Sequence, residues 1–347
     1  MKDIVEEALE KSSAMDTEES DIPPPNTFGL PRCAVVGCGP KGISRLERFI
    51  ADDSIDLEVT TIAVGRTSTL ESATITSAET VQIPIAEEPT NSPRIDTETF
   101  EDRLRGQFND LNIIVVTGHL DSIASARSIE IVCKYAEDAT SDPVILAAPT
   151  IPSHGLCEDL TQVFFNIVRA AGTTIPYDHG WILNSHPQVA AGGSSEPTIE
   201  QTIDSIMTEW FCDVFEPYLT PTESSIDYAA VRNVLRDGDV AILYRGEGSR
   251  SDDPDTLLDQ AAASRVCDGD RSATDGYFGL IRFGYTYTLQ ELETFETRVV
   301  ERFASTGTEQ PYHRLVCGKS DSRMGDQCRV ALLLTGIDPE SLSFIGD

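Results

Sequence analysis

The sequence is short of basic residues. Its 347 residues include 26 lysines and arginines against 58 aspartates and glutamates, which gives a net charge of −32. Lysine is especially scarce and occurs at Lys2, Lys11, Lys41, Lys134 and Lys319. The electrostatic field of such a negative protein repels nucleic acids and anionic membrane surfaces, so we expect neither as a direct partner. Because the acidic residues are spread along the chain among ordinary apolar segments, they indicate a surface adapted to a salt-rich cytoplasm, as in a halophilic archaeon.

Long hydrophobic runs and paired cysteines are also missing. No apolar run approaches the roughly 18 residues of a membrane span, and the start of the chain does not resemble a signal peptide. The eight cysteines form no C-x-x-C pair, and the five histidines lack the spacing that is typical of metal ligands. We therefore predict a cytoplasmic protein with buried thiols in a reducing compartment and without a metal site.

A glycine-rich turn is the strongest local motif that the sequence does contain. The turn GCGPKG at residues 37–42 follows an apolar run at 33–36 and precedes a helical pattern at 43–50. Strand, glycine turn and helix together are typical of a phosphate cradle, because glycine lets the backbone approach the ligand and the helix N-terminus offers free N–H groups. A tight strand-to-helix turn without a ligand has the same pattern, so the motif alone leaves both interpretations open.

The first half of the chain alternates between apolar runs of strand length and helical patterns. Strands are predicted at 33–36, 58–64, 112–117 and 143–148, with helices at 43–50, 100–108 and 126–135 between them. Such alternation predicts an α/β domain with a doubly wound parallel sheet.

A long helix at 198–218 leads into a region of different character. Helices are predicted at 228–235, 256–263 and 289–303, and strands at 240–244, 277–283, 314–317 and 327–335. The last two strands are predicted to face each other across a turn at 320–325. This pattern indicates a second domain of the α+β class.

The end of this second region carries a family resemblance. Residues 315–337, LVCGKSDSRMGDQCRVALLLTGI, form an apolar run, an acidic turn, an M-x-D-x-x-R-V run and an apolar strand that ends in T-G, and they resemble the closing hairpin of FtsZ. Residues 275–292 resemble the strand and helix that precede this hairpin in FtsZ. The turn at 37–42, together with Arg48, resembles the opening motif of the family, and IPYDH at 175–179 resembles its I-P-N-D-R segment. The chain is therefore identified as a divergent member of the tubulin/FtsZ superfamily, nearest the archaeal FtsZ and CetZ branches.

The resemblance implies an organisation, a ligand and a mode of association. It divides the chain into a flexible acidic leader (1–31), a GTP-binding-type domain (32–197), a core helix with the synergy loop (198–222), an α+β second domain (223–337) and a short tail (338–347). It implies GTP or GDP as ligand, with magnesium only if nucleotide binds, and head-to-tail association with FtsZ-type proteins or with itself.

The resemblance also assigns site residues. Those that match the nucleotide site are Gly37, Gly39, Lys41, Gly42, Gly118 and Asp178. Asp227 matches the first aspartate of the synergy loop, through which a neighbouring subunit positions the attacking water. The guanine-contacting position on the core helix falls near Ile203 or Asp204.

Several positions depart from the family's pattern. Around the signature G-G-G-T-G-T-G only Gly118 survives, and Leu120, Asp121 and Ile123 stand where phosphate-binding glycines are expected. Ala230 replaces the second aspartate of the synergy loop, and alanine neither polarises a water nor accepts its proton. We therefore expect GTP hydrolysis to be weak or absent, and we expect the protein to act as a partner, modulator or cap of FtsZ-type filaments in cell division or cell shape.

Other interpretations stay open. The chain is an atypical polymerising GTPase if Lys41, Arg66 and Asp227 bind nucleotide through other contacts. More remotely, the turn at 37–42 followed by Arg66 matches an NADP fingerprint, in which Arg66 would meet the 2′-phosphate of an oxidoreductase cofactor. Asp227 and Ser122 are also candidates for the N-caps of the helices that follow them.

Overall fold

Strands and helices alternate along the first half of the chain, as the sequence pattern predicts. In the computed structural model the strands of this half are β1 Cys33–Cys38, β2 Val59–Arg66, β3 Thr80–Ile85, β4 Ile113–His119, β5 Val144–Ile151, β6 Thr173–Thr174 and β7 Tyr177–Asp178. Strands β1, β4 and β5 are buried along their whole length, as expected for a parallel sheet covered on both faces.

The structure describes most of the chain after residue 30. The described residues are 31–51, 59–73, 80–85, 97–185, 198–219, 228–249, 252–272, 274–284, 288–303, 313–321 and 324–345. The predicted leader at 1–31 lies outside them except for its last residue.

The strands of the first half form a parallel sheet in the order β3-β2-β1-β4-β5-β6. The short strand β7 pairs with the end of β5. Because the strand order reverses between β1 and β4, the prediction of a doubly wound parallel sheet is confirmed. The carboxyl ends of β1 and β4 meet at this reversal point, which is where open α/β sheets bind their ligands.

The helices of the first half cover the sheet. They are α1 Gly39–Ala51, α2 Thr67–Ser72, α3 Thr97–Phe108, α4 Ile123–Glu137, α5 Glu158–Ala170 and α6 His179–Ser185. The sequence analysis missed α2 and β3. Helix α2 is six residues long, and β3 contains Pro84, which weakens a strand pattern and is tolerated here because β3 lies at the sheet edge.

The second half adds a long helix and a mixed sheet. Its elements are α7 Ile199–Leu219, α8 Tyr228–Leu235, β8 Asp239–Ser249, α9 Pro254–Ala263, β9 Gly276–Phe283, α10 Leu289–Phe303, β10 His313–Ser320 and β11 Gln327–Ile337. Strand β8 pairs in parallel with β6, so the strands of both halves belong to one sheet. Residues 31–347 form one compact unit, and the finer boundaries at 197, 222 and 337 stay predictions.

The predicted pairing of the last two strands is wrong. Strand β9 lies between them, parallel to β10 and antiparallel to β11, and β11 pairs with β8 on its other side. Residues 330–335 of β11 are buried without interruption, which is typical of a strand with neighbours on both sides, whereas β10 is half-buried at the sheet edge. Helix α10 supplies the crossover that a parallel β9–β10 pair requires.

The segment predicted as a short tail packs against the first half. It contains a 3₁₀ turn at Pro339–Ser341, and Ile345 forms a parallel bridge with Leu156. Phe344 is buried and meets Phe164 of α5 edge to face, with ring centroids 5.4 Å apart. The described part of this segment is therefore part of the core. Across the described residues, no helix combines the length and the apolar character needed to cross a membrane.

Candidate functional site

The predicted nucleotide residues lie at the carboxyl ends of β1 and β4, where α1 and α4 begin. Gly39 is the first residue of α1 and has a φ of 68°, a left-handed conformation that glycine adopts without strain. Five of the six residues assigned to the nucleotide site lie together at this edge: Gly37, Gly39, Lys41, Gly42 and Gly118.

Close packing accounts for three of these glycines. A Cβ atom on Gly42 would lie 2.7 Å from the Thr117 carbonyl oxygen and 3.1 Å from the Cα atom of Gly118. A Cβ atom on Gly37 would lie 2.5 Å from the Gly42 carbonyl oxygen, and one on Gly118 would lie 2.9 Å from the Cys38 carbonyl oxygen. The first turn of α1 thus touches the backbones of β1 and β4 directly, and this contact requires glycine whether or not a ligand binds.

Lys41 is paired with the helix α7. Its Nζ atom lies 2.8 Å from Oε1 of Glu200, and both side chains are 42% exposed. The hydrogen bond from Lys41 lowers the pKa of Glu200, and it outweighs the opposing effect of burial. The ammonium group that the sequence assigns to a phosphate therefore has a carboxylate of the same chain as its partner.

Two buried histidines lie at the same edge. His119 ends β4, His179 begins α6, and their rings meet edge to face with centroids 5.0 Å apart. They are 4% and 7% exposed, and Nδ1 of His119 and Nε2 of His179 have no hydrogen-bond partner among the described residues. Burial, with the nearby charge of Lys41, lowers the pKa of each imidazole to about 4. Both rings are therefore neutral near pH 7.

The residues that are predicted to replace the phosphate-binding signature occupy different environments. Leu120 is fully buried, and its backbone N–H donates to the Thr150 carbonyl oxygen at 2.9 Å. Ile123, in contrast, is 42% exposed at the start of α4. Of these two apolar side chains, Leu120 belongs to the core and Ile123 to the surface.

The next two polar residues, Asp121 and Ser122, precede α4. Asp121 is exposed, and its Oδ2 atom lies 3.9 Å from Nδ1 of His119. The Ser122 hydroxyl accepts a hydrogen bond from the Ser125 backbone N–H at 3.3 Å. Ser122 is thus the N-cap of α4, and the capping interpretation is confirmed.

Asp178 is engaged in local structure at the end of β7. Its Oδ1 atom accepts hydrogen bonds from the backbone N–H groups of Gly180 at 2.8 Å and Trp181 at 3.2 Å. Burial raises the pKa of Asp178, and these two hydrogen bonds oppose the rise. The carboxylate therefore caps the first turn of α6.

The position on α7 that the resemblance assigns to guanine contact, near Ile203 or Asp204, lies in a buried ion cluster. Arg45 Nε lies 2.5 Å from Oδ1 of Asp204, and Arg48 bonds to Oδ2 of the same carboxylate. Arg45 also donates to the Thr117 hydroxyl at 2.6 Å. Both oxygens of Asp204 are thus engaged by α1, and Ile203 beside it is fully buried.

The remaining predicted residues lie apart from this edge or outside the described residues. Asp227, the predicted catalytic remnant, lies outside the described residues. Ala230 is half-buried in the first turn of α8, and Arg66 is exposed at the end of β2. Within the part of the chain that the structure describes, no three His, Cys, Asp or Glu side chains are grouped as metal ligands.

The sequence analysis did not single out His179, Glu200, Arg45 or Thr117. A signal existed for His179, which directly follows Asp178 in the segment that resembles I-P-N-D-R. The other three became visible only through contacts between α1, β4 and α7. Chemically, the assembled residues form internal ion pairs and a neutral histidine pair.

The chain is similar to FtsZ and CetZ proteins. No family model matches it. Cell division protein FtsZ 2 of Haloferax volcanii is 22% identical over 309 residues, which cover 87% of this chain and 76% of that protein. The empty FtsZ dimer of M. jannaschii superposes with a TM-score of 0.68 at 15% identity, covering 94% of this chain and 92% of that one. CetZ from Methanosaeta thermophila superposes with a TM-score of 0.63 at 13% identity, covering 88% and 86%. The chain therefore has the FtsZ/tubulin fold.

Proposed function

We propose that this divergent member of the tubulin/FtsZ superfamily is an FtsZ-like filament protein with weak or absent GTP hydrolysis, which acts as a partner, modulator or cap of FtsZ-type filaments. We place it in cell division, as the name of its Haloferax volcanii relative suggests, or in cell shape. Its partners are FtsZ-type proteins or further copies of itself, associated head to tail.

One observation carries the proposal: the chain's own side chains occupy the edge where a nucleotide would lie. Lys41 is paired with Glu200, and Asp204 is paired with two arginines of α1. A phosphate nest needs free backbone N–H groups and open space above them. Here Pro40 removes one donor from the first turn of α1. His119, which ends β4, and Leu120, which follows it, are both buried. These residues do not fit a bound nucleotide.

The second support is the residue at position 230. In the family pattern an aspartate stands there and acts on the nucleotide of the neighbouring subunit. Ala230 has no group that accepts a proton, so a filament neighbour receives no general base from this position. A subunit that binds an FtsZ-type partner without activating its GTP would slow that partner's turnover, which is the behaviour of a modulator or cap.

Turnover and co-sedimentation test the proposal. The purified chain is assayed with magnesium GTP in 2 M KCl, alone and mixed with Haloferax volcanii FtsZ 2. We expect no turnover alone, co-sedimentation with the partner and a lower turnover per partner molecule. The variant Ala230→Asp, which restores the acidic group, should still show no turnover alone, because the nucleotide edge is closed. Turnover by the unmodified chain at a rate typical of the family would refute the proposal.

An atypical GTP-binding polymerising GTPase is the second candidate. One observation favours it: Lys41 and Glu200 are both half-exposed, so their ion pair can open without unpacking the core. Tight GTP binding that is lost in Lys41→Ala and kept in Lys134→Ala, a change at an exposed lysine of α4, would support this candidate over the first.

A further inference from the structure

Four of the five acidic residues of α7 are arranged in two pairs. Glu200 and Asp204 are four residues apart, and so are Glu209 and Asp213. Residues four apart lie on the same side of a helix, and the five-residue step from Asp204 to Glu209 turns the second pair by about 140° around the helix axis. The two pairs therefore face different neighbours.

The first pair binds helix α1 in the first half of the chain. Glu200 accepts from Lys41 at 2.8 Å, and Asp204 accepts from Arg45 at 2.5 Å and from Arg48. The three basic residues follow one another along α1 at intervals of three or four residues, so they lie along one side of that helix. Two neighbouring helices are thus joined along their contact by charge.

The second pair binds strands of the second half. Glu209 bonds to Arg245 of β8 and lies 3.3 Å from Arg329 of β11. Asp213 accepts from Arg282 of β9 at 2.6 Å. One helix therefore joins α1 to three strands of the mixed sheet.

This arrangement uses scarce cations, and two of them, Arg45 and Arg282, are buried. Among the described residues, six of the chain's 26 lysines and arginines form ion pairs with α7, although 58 acidic residues compete for them. The central pairs Arg45–Asp204 and Arg282–Asp213 have side chains that are 3–11% exposed. Concentrated salt screens exposed charges far more than buried ones, so these two pairs persist where surface pairs are lost. Removal of one partner leaves a buried charge uncompensated and is strongly destabilising.

We propose that α7 is an ionic strut, whose two acidic pairs hold α1 and the strands β8, β9 and β11 in one arrangement without a bound ligand. The inference rests on the proposed function, because a chain that neither binds nor hydrolyses nucleotide has no ligand-driven step that would move α7. It goes further by naming the contacts that take the ligand's place: Lys41 and Arg45 hold α7 from the edge where a nucleotide would lie.

Hydrogen exchange of α7 tests the strut. Trp210 provides a second readout, because it is buried on α7 and lines a cavity of about 30 Å³ together with Leu46 of α1. Backbone exchange over residues 199–213 is measured in 2 M KCl for the unmodified chain, Asp204→Asn and Asp213→Asn. Trp210 emission is measured for the same three in a Trp181→Phe background, because Trp181 also emits. Glu296→Gln is the matched control, since it removes the same charge from an exposed position of α10.

We expect each asparagine variant to exchange at least tenfold faster across α7 and the control to exchange like the unmodified chain. Magnesium GTP should change neither readout in the unmodified chain. If the buried variants fail to fold, Glu200→Gln replaces them, because its half-exposed pair is dispensable for the core. Its faster exchange should be confined to the first turns of α7. Unchanged exchange in every variant that folds would overturn the strut.

Binding of a fluorescent GTP analogue to the same samples separates the two proposals. If the analogue binds while the exchange of α7 and the Trp210 emission stay unchanged, the proposal of a closed nucleotide edge is refuted and the proposal of the ionic strut stands. An α7 whose exchange or Trp210 emission responds to nucleotide refutes both proposals. Fast exchange in the unmodified chain, equal to that of the variants, refutes the strut and leaves the proposed function standing.

Discussion

Acid should destabilise this protein through His119 and His179. Both imidazoles are buried, and the pKa of each falls from 6.5 to about 4 in the folded chain, first because of burial and then because of the charge of Lys41. A lowered folded-state pKa gives stability that is present above pH 6.5 and is lost as the pH falls towards 4. The reason is that both histidines bind a proton in the unfolded chain at a pH at which they are still neutral in the folded chain.

The magnitude follows from the two pKa values. Between pH 7 and pH 5 the unfolded histidines become almost fully protonated, whereas the folded ones stay neutral. Proton linkage then gives a loss of about 2 kcal/mol for each histidine. For the pair we expect a loss of about 2–4 kcal/mol, where the lower end allows for screening by solvent. Most carboxylates stay ionised in this interval, so the two histidines should dominate the change.

Urea unfolding in 2 M KCl at pH 7 and pH 5, followed by tryptophan fluorescence, measures the loss. The double variant His119→Gln/His179→Gln removes both titrating groups, and its stability should change by less than half as much between the two pH values. His154→Gln removes an exposed histidine and should keep the full loss. An equal pH dependence in the unmodified chain and the double variant would refute the assignment of the acid sensitivity to the buried pair.

Substitutions at four further positions test local packing and helix capping. Gly42→Ala places a Cβ 2.7 Å from a carbonyl oxygen of β4 and should destabilise the protein by about 1–3 kcal/mol. Gly106→Ala, at a position of α3 with open space around it, should stabilise the protein by about 0.5–1 kcal/mol. Thermal unfolding measures both changes, and equal stabilities of the two variants would contradict the packing argument. Asp178→Ala removes the cap of α6 and should cost about 1 kcal/mol, with Asp178→Asn retaining most of the stability. Phe344→Ala should destabilise the protein by about 3–5 kcal/mol, and Phe344→Leu should destabilise it clearly less. An alanine variant as stable as the unmodified chain would show that the C-terminal segment is not part of the core.

Much of the fold could be predicted from local sequence patterns. The alternation of apolar runs and helical patterns predicted the parallel sheet of the first half, because buried parallel strands and amphipathic helices have distinct periodicities. The family resemblance of residues 315–337 led to the same fold that the solved FtsZ and CetZ structures share. Helix bounds were accurate where the pattern was strong, as in α8 Tyr228–Leu235 and α10 Leu289–Phe303.

The pairing of strands was beyond the reach of these patterns. The motif at residues 315–337 reads as two strands and a turn, which favours a hairpin, yet β9 separates the two strands. A local pattern contains no information on a third strand that arrives from residues 276–283. The buried, uninterrupted run in β11 was the available sign that this strand needs a neighbour on each side.

Local sequence patterns predicted a glycine-rich strand-to-helix turn and, through the family resemblance, the loss of the phosphate-binding glycines and of the second aspartate. The tertiary structure decided what occupies that edge instead. Lys41 meets Glu200, Arg45 meets Asp204, and His119 meets His179 across gaps of 60 to 160 residues, which no spacing rule connects. The physical reason is that the packing of α1, β4, α6 and α7 determines which charged groups and which imidazoles become neighbours. Burial at that place then shifts the pKa of the two histidines.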